Sequence, residues 1–383
     1  MAGWRALAPL ACALLATSGV AAEDGLALLQ RIAQGARQLT YSGTFVYRSG
    51  NRVDTSSITH ALADGRELER IEVLDGSPRE VLRAGSEVKC FFPEEKLLII
   101  ESRPGQRGFP SLLPAGLGNL PENYAIRGGG LGRVAGLSSR AVVLEPRDAL
   151  RYGHELWMDA ASGLLLKASL LDGRGEPLES FAFTQIRIGG PIDPEALRPR
   201  FDPERVRVQQ ARTAELRPDD IDWTFRNALP GFRRVATMKR QLAPGAAESL
   251  HVVFSDGLAS ISVFIEPAAG ANEADAATAV GPVSVYRRQV GDFRLLVMGE
   301  VPEIAVRRLG EGIERKRKRA PAMRSSSPSR TVPCSSKSPG ARRPAAAARA
   351  AAPAIPTSLR SDPGRAASAW PTASAHGSAT TSA

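Results

Sequence analysis

Apolar residues recur at helical spacing near the start of the chain, at Leu29, Ile32, Ala36 and Leu39, and predict an amphipathic helix over 26–39 that lays one stripe on a sheet. The period then falls to two. Over 41–48, Tyr41, Gly43, Phe45 and Tyr47 share one face while Ser42, Thr44 and Arg48 fall mostly on the other, the pattern of a half-buried strand. Turn signals follow at Asp64-Gly65, Asp75-Gly76 and Gly85, with strand-like stretches around Ile58, Ile71 and 88–92, the rhythm of an antiparallel meander. Residues 96–101 (KLLIIE) predict a buried strand, and 105–121 breaks the pattern with glycine, proline and the apolar pair Leu112-Leu113, as a long loop would. Further strands are predicted over 141–145, 152–158, 164–171 and 178–188. Such a run is long enough to bury a core and to curl into a barrel or half-barrel.

The pattern also divides the chain. Residues 191–218 hold Pro191, Pro194, Pro199, Pro203 and Pro218 among many charges, without an apolar period, and read as a linker. Strands around 252–254, 260–266, 283–288 and 293–297, closed by a short helix over 305–314, predict a second, smaller unit. At the front, Arg5 precedes an apolar run over 6–16 and the small residues Ser18 to Ala22, the layout of a cleavable export signal with its cut after Ala22. The expected organisation is a signal peptide over 1–22, a first domain over 23–190, a linker over 191–218, a second domain over 219–314 and a tail over 315–383. The tail is dominated by Ala, Ser, Pro and Arg and has too few large apolar residues to build a core.

Charge changes the picture only in its placement. The formal net charge is +10, but 13 Lys and Arg against the single Asp362 put +12 of it in the tail, leaving about −2 before it. The run Arg315-Lys316-Arg317-Lys318-Arg319 looks like a nucleic-acid patch. On an exported protein, with no aromatic residues interleaved for stacking, a nucleic-acid partner is not expected.

Catalytic chemistry finds no foothold. Gly136-Leu137-Ser138-Ser139 is not a nucleophile elbow, and Gly128-Gly129-Gly130-Leu131-Gly132 lacks the spacing and lysine of a phosphate loop, so it reads as a flexible turn. Glu94-Glu95 and Asp219-Asp220 sit in charged, turn-like settings. Cys90 and Cys334 are the cysteines left behind the signal, and His60, His154, His251 and His376 are far apart. No catalytic residue, metal site, cofactor or disulfide framework is expected. The apolar residues Phe45, Phe91, Leu98, Trp157, Leu165 and Phe183, taken as one face of the first sheet, either fill a core or line a lipid-sized cavity. With Leu112 and Leu113 they are the candidate lipid contacts.

Arg133-Val134-Ala135-Gly136, Pro146-Arg147-Asp148, Arg151-Tyr152-Gly153-His154-Glu155-Leu156-Trp157, Gly163-Leu164-Leu165-Leu166-Lys167 and Phe181-Ala182-Phe183-Thr184 occur in order through the first domain. Leu229-Pro230-Gly231-Phe232, Ser255-Asp256-Gly257-Leu258-Ala259, Ser262-Val263-Phe264-Ile265-Glu266 and Gly299-Glu300-Val301-Pro302 follow in the second. The series resembles the RseB/MucB family of periplasmic regulators. The resemblance implies a mainly β fold: a large unclosed antiparallel barrel similar to the lipoprotein carriers LolA and LolB, wrapped over helices, and a smaller α+β C-terminal domain. It implies a protein of the periplasm that binds the periplasmic part of a membrane-spanning anti-sigma factor. That partner is shielded from first-site proteolysis until lipopolysaccharide or mislocalised lipoprotein is sensed through the apolar interior.

Under this resemblance the candidate partner contacts are Asp256, Phe264 and Glu266, although Ser255-Asp256-Gly257 reads equally as a hairpin turn. Self-association is left open, a lipid or lipoprotein carrier is the rival function, and an envelope hydrolase is the more distant one. The chain runs about 70 residues past the family's usual end, which a disordered tail or, better, out-of-frame translation of a GC-rich gene would explain.

Overall fold

The computed structural model describes residues 17–63, 65–102, 113, 117–202, 206–210, 212–227, 229–241, 248–268 and 274–316. The apolar core of the expected signal, Leu112 and nearly all of the expected tail lie outside these residues.

The predicted first helix is α1 (Thr17–Gln38), which begins before the expected cleavage position at Ala22. Leu28, Leu29, Ile32 and Ala33 on its buried stripe enter one core cluster with the sheet that follows. That sheet is built from β1 (Tyr41–Ser49), β2 (Arg52–Ala63), β3 (Arg66–Val73), β4 (Glu80–Ala84), β5 (Glu87–Phe92) and β6 (Leu97–Ser102). After the short α2 (Leu120–Asn123) it continues through β7 (Tyr124–Val134), β8 (Leu137–Pro146), β9 (Gly153–Asp159), β10 (Leu165–Leu171) and β11 (Pro177–Ile188). β1 pairs with both β2 and β11, so the two halves of the meander join along the first strand. The order runs β12-β6-β5-β4-β3-β2-β1-β11-β10-β9-β8-β7, where β12 is Arg207–Gln210, and the two outermost strands do not pair. The sheet is therefore unclosed.

One sequence expectation changes here. The glycines of 128–132 lie inside β7 rather than in a turn, with a register irregularity between Gly128 and Leu131. A bulge of this kind lets a strand bend without ending. Within the expected linker, β12 adds to β6 in parallel, and β13 (Arg212–Glu215) adds to the second sheet. Proline punctuates these segments without entering the paired residues.

Beyond the linker come β14 (Trp223–Phe225), β15 (Arg233–Gln241), β16 (Ser249–Ser255), β17 (Ser260–Pro267), β18 (Ala276–Val280), β19 (Val283–Val290) and β20 (Phe293–Gly299). They are followed by α3 (Glu303–Glu311) and β21 (Ile313–Arg315). The sheet order is β13-β15-β16-β17-β20-β19-β18, and β14 pairs separately with β21. Ala305, Val306 and Leu309 of α3 enter a second core with Ile261, Val263, Tyr286, Leu295 and Val297.

α1 meets the first sheet through glycine. A Cβ on Gly35 would come within 2.9 Å of the Gly163 carbonyl group, and one on Gly163, at φ +79°, within 3.0 Å of the Arg31 carbonyl oxygen. Arg31 also donates to the Ala160 carbonyl at 2.9 Å, so the β9–β10 turn is clipped to the helix. Gly163→Ala is expected to cost about 1–3 kcal/mol, from a strained positive φ together with this steric contact, read as a lowered urea midpoint at unchanged slope.

Candidate functional site

Following register across the first sheet separates the candidate lipid contacts. Phe45 pairs with Phe183 across β1 and β11, and their rings meet edge-to-face at 5.8 Å, with Phe181 at 6.4 Å from both. Leu113 and Leu165 belong to the same buried cluster beneath α1. Thr44, on the opposite face from Phe45, starts the row Thr44, Ser57, Glu72, Glu80, Phe91, Leu98. Phe91 and Leu98 are thus buried on the outer face. There Arg70 pairs with both Glu80 and Glu72, and the linker crosses, the Arg200 backbone N–H donating to Glu80 and Arg70 to the Ala196 carbonyl. Trp157 is half-buried and alternates with Leu156 and Met158, which enter the inner core. Its ring lies over Gly132 and 5.8 Å from the Lys167 ammonium. The expectation that these residues share one face therefore fails for Phe91, Leu98 and Trp157, because direct pairing fixes which face each residue takes.

The candidate partner contacts divide as well. Phe264 is buried with its ring stacked on His251 at 4.2 Å, and half-buried Glu266 pairs with Arg294 at 3.0 Å. Asp256 is turned toward the first sheet. Its Oδ1 accepts the N–H groups of Leu258 and Ala259 at 2.9 and 2.8 Å, which shapes the turn between β16 and β17. Its Oδ2 accepts the Tyr124 hydroxyl at 3.2 Å and lies 3.2 Å from Arg151 Nε. That approach is an ion pair rather than an aligned hydrogen bond.

Arg151 is the centre of this seam. Its side chain is 1% exposed and that of Asp256 is 0% exposed. Nη2 donates to the Pro230 carbonyl at 2.6 Å, Nη1 lies 3.5 Å from Asp148, and the guanidinium carbon sits 5.0 Å from the Phe232 ring centre and 5.7 Å from that of Tyr124. Burial raises the Asp256 pKa above the ordinary carboxylate value, against the opposing effects of its hydrogen bonds and Arg151. The neighbouring apolar residues interlock across the seam: Leu150 of the first unit lies in the second core, and Leu258 of the second packs on the first.

One further contact extends the seam. Glu101 of β6 pairs with Arg240 of β15 at 3.0 Å, with both side chains buried. Within the first unit Tyr47 of β1 donates to Glu179 of β11 at 2.6 Å, and burial raises the pKa of Glu300, just past β20, well above the ordinary carboxylate value, with the charge of Glu179 adding to the rise. Burial raises Glu179 to a pKa of about 7, with the Tyr47 hydrogen bond opposing the rise. Among the described residues no group of three or more His, Cys, Asp or Glu is placed to hold a metal ion, and no helix is long and apolar enough to cross a membrane. The sequence reading passed over Arg151, Tyr124, Glu179 and Glu300 as site residues. The available signal was an arginine set directly between an apolar pair and a tyrosine, in Ala149-Leu150-Arg151-Tyr152.

The two units that meet at this seam correspond to two family models, the MucB/RseB N-terminal domain over residues 24–201 and the MucB/RseB C-terminal domain over 217–314. The chain belongs to the MucB/RseB family. Within the family it is 32% identical over 296 residues to the sigma factor AlgU regulatory protein MucB of Pseudomonas aeruginosa, covering 76% of this chain and 90% of that one. It is 26% identical over 317 residues to the sigma-E factor regulatory protein RseB of Escherichia coli strain K12, covering 81% and 97%. Among solved structures, MucB in complex with MucA(peri) matches at 31% identity with a TM-score of 0.61, over 77% of this chain and all of that one. A MucA/MucB complex from Pseudomonas aeruginosa matches at 30% identity with a TM-score of 0.62, over the same shares.

Proposed function

We propose that this protein is a periplasmic negative regulator of the envelope stress response, which binds the periplasmic domain of a transmembrane anti-sigma factor. The observation that carries the reading is the likeness to MucB bound to MucA(peri), which spans the whole of that MucB chain. In the proposed scheme residues 23–190 sense lipid, 191–218 link, and 219–314 bind the partner. The bound anti-sigma domain is protected from its first-site protease, and lipopolysaccharide or mislocalised lipoprotein releases it. Of the candidate lipid contacts, Phe45, Leu113, Leu165 and Phe183 are best placed, since they lie together in the core where an acyl chain would gain about 0.8 kcal/mol per buried CH₂. Phe264 and Glu266 remain the proposed partner contacts, with Asp256 at the opposite end of the β16–β17 hairpin, in the seam.

The test is proteolysis of a purified anti-sigma periplasmic domain by its first-site protease, with this protein added in molar excess. Cleavage is expected to slow at least tenfold and to recover on adding lipopolysaccharide. Cleavage at the same rate with and without the protein would refute the reading. Protection that persists at every lipopolysaccharide concentration would remove the lipid-release step.

A further inference from the structure

We infer that the outer face of the first sheet carries a binding site for an acidic saccharide, in a cleft of about 530 Å³ between β1, β2 and β11 and the linker that crosses them. Direct strand pairing sets the floor. One row runs Arg187, Ser42, Thr59, Arg70 across β11, β1, β2 and β3, and the next runs Gln185, Thr44, Ser57. Cross-strand neighbours in such a grid stand about 5 Å apart and the two rows about 7 Å apart, the scale of a sugar unit. The four hydroxyl residues are half-buried although they face outward. Their cover is the linker turn Pro194–Leu197, whose Glu195 and Ala196 line the cleft with Arg200 beyond them.

The linker is fastened in that position. Arg70, itself buried, pairs with Glu80 and, at 2.6 Å, with Glu72, and its Nη1 donates to the Ala196 carbonyl at 3.4 Å. The Arg200 backbone N–H reaches the two Glu80 oxygens at 3.2 and 3.1 Å, and its guanidinium pairs with Glu72 at 3.1 Å. The charges of Arg70 and Arg200 are thereby answered by Glu72 and Glu80, and Glu195 is paired with Arg198 at 2.7 Å. Arg187 differs. Its Nη2 reaches the Pro191 carbonyl at 3.5 Å, and among the described residues no carboxylate pairs with it.

The hydroxyls decide the ligand class. Ser and Thr each offer one donor and two acceptor positions, and Gln185 adds an amide with both, so the floor matches the mixed donors and acceptors of sugar hydroxyls. No other described group engages the hydroxyls of Ser42, Thr44, Ser57 or Thr59, which leaves them for a ligand. The Arg187 guanidinium at the end of one row favours a carboxylate or phosphate on the sugar, since a charge-assisted hydrogen bond is stronger than a neutral one. The volume falls in the ordinary range for small-ligand sites. The site lies on the face opposite Phe45, so it is separate from the proposed lipid contacts, and it does not rest on the anti-sigma reading.

The experiment titrates the full chain by calorimetry with a glucuronic-acid disaccharide, the matching neutral glucose disaccharide and inorganic phosphate. The acidic disaccharide is expected to bind at least fivefold more tightly than the neutral one, and phosphate alone not to bind at millimolar concentration. Arg187→Gln alters an exposed side chain and should bring the acidic probe down to the affinity of the neutral one. Ser42→Ala with Thr59→Val should weaken both sugars at least tenfold while the urea midpoint stays near that of the parent. Vesicles carrying a glucuronosyl lipid identify the source: cosedimentation above plain vesicles assigns a glycolipid headgroup, and binding of the free disaccharide alone assigns a soluble glycan. The proposal is overturned if neither sugar binds, if the two bind equally and Arg187→Gln changes nothing, or if phosphate binds as tightly as the acidic sugar.

Discussion

Arg151→Ala is expected to destabilise the protein by about 3–5 kcal/mol, because it leaves the fully buried Asp256 carboxylate with no cation. The variant also loses the bond to the Pro230 carbonyl and the stacking of the guanidinium against Phe232 and Tyr124. Urea unfolding should change from one transition into two, since the residue joins two separate cores. Asp256→Ala should cost a similar amount, with an added loss from the turn that Oδ1 caps. The paired replacement Arg151→Met with Asp256→Leu should recover much of the loss, because a buried ion pair exchanged for apolar residues of similar volume is near neutral. The single effects should therefore sum to well more than the paired one. Simple additivity would show that the two side chains do not act as a unit.

The seam also explains how far the sequence could be read. Strand pattern was legible wherever one face was buried, as in β1, where Tyr41, Phe45 and Tyr47 are buried and Arg48 is exposed. Face assignment across the meander was not, because it depends on the lengths of the turns joining the strands. Phe91 and Phe45 look alike in sequence, yet the continuous registers from β1 to β6 place them on opposite sides. The glycines of β7 read as a turn because no neighbour in sequence discloses that Trp157 lies over Gly132. β15 went unpredicted because its exposed Arg233, Val235 and Lys239 give weak contrast with the buried Thr237 and Arg240.

Buried charges were the least legible feature. Arg151, Asp256 and Glu179 are ordinary surface residue types, and Arg151 and Asp256 are buried against each other across the two units. Asp256 was singled out on family resemblance and read otherwise as a hairpin turn. Its two oxygens have separate tasks: Oδ1 caps the turn and Oδ2 faces Tyr124 and Arg151. A turn residue thereby becomes a connector between domains, which local pattern cannot reveal.

Phe45→Ala is the second large effect, with an expected cost of about 3–5 kcal/mol, since the ring is fully buried between Phe181 and Phe183 beneath α1. The lost ring leaves an apolar space that stays dry. If the inner face is where acyl chains are received, this space should take up a short alkyl ligand and regain stability with ligand concentration. Phe91→Ala removes an equally buried ring on the outer face, so it should be destabilised without such rescue. Urea midpoints measured for both variants over a series of alkyl concentrations separate the outcomes. Rescue of Phe45→Ala alone assigns the receptive side to the helix-covered face. Rescue of neither, or of both alike, would mean that the inner cluster is core packing with no preference for lipid, and the sensing role would have to be sought away from Phe45, Leu165 and Phe183.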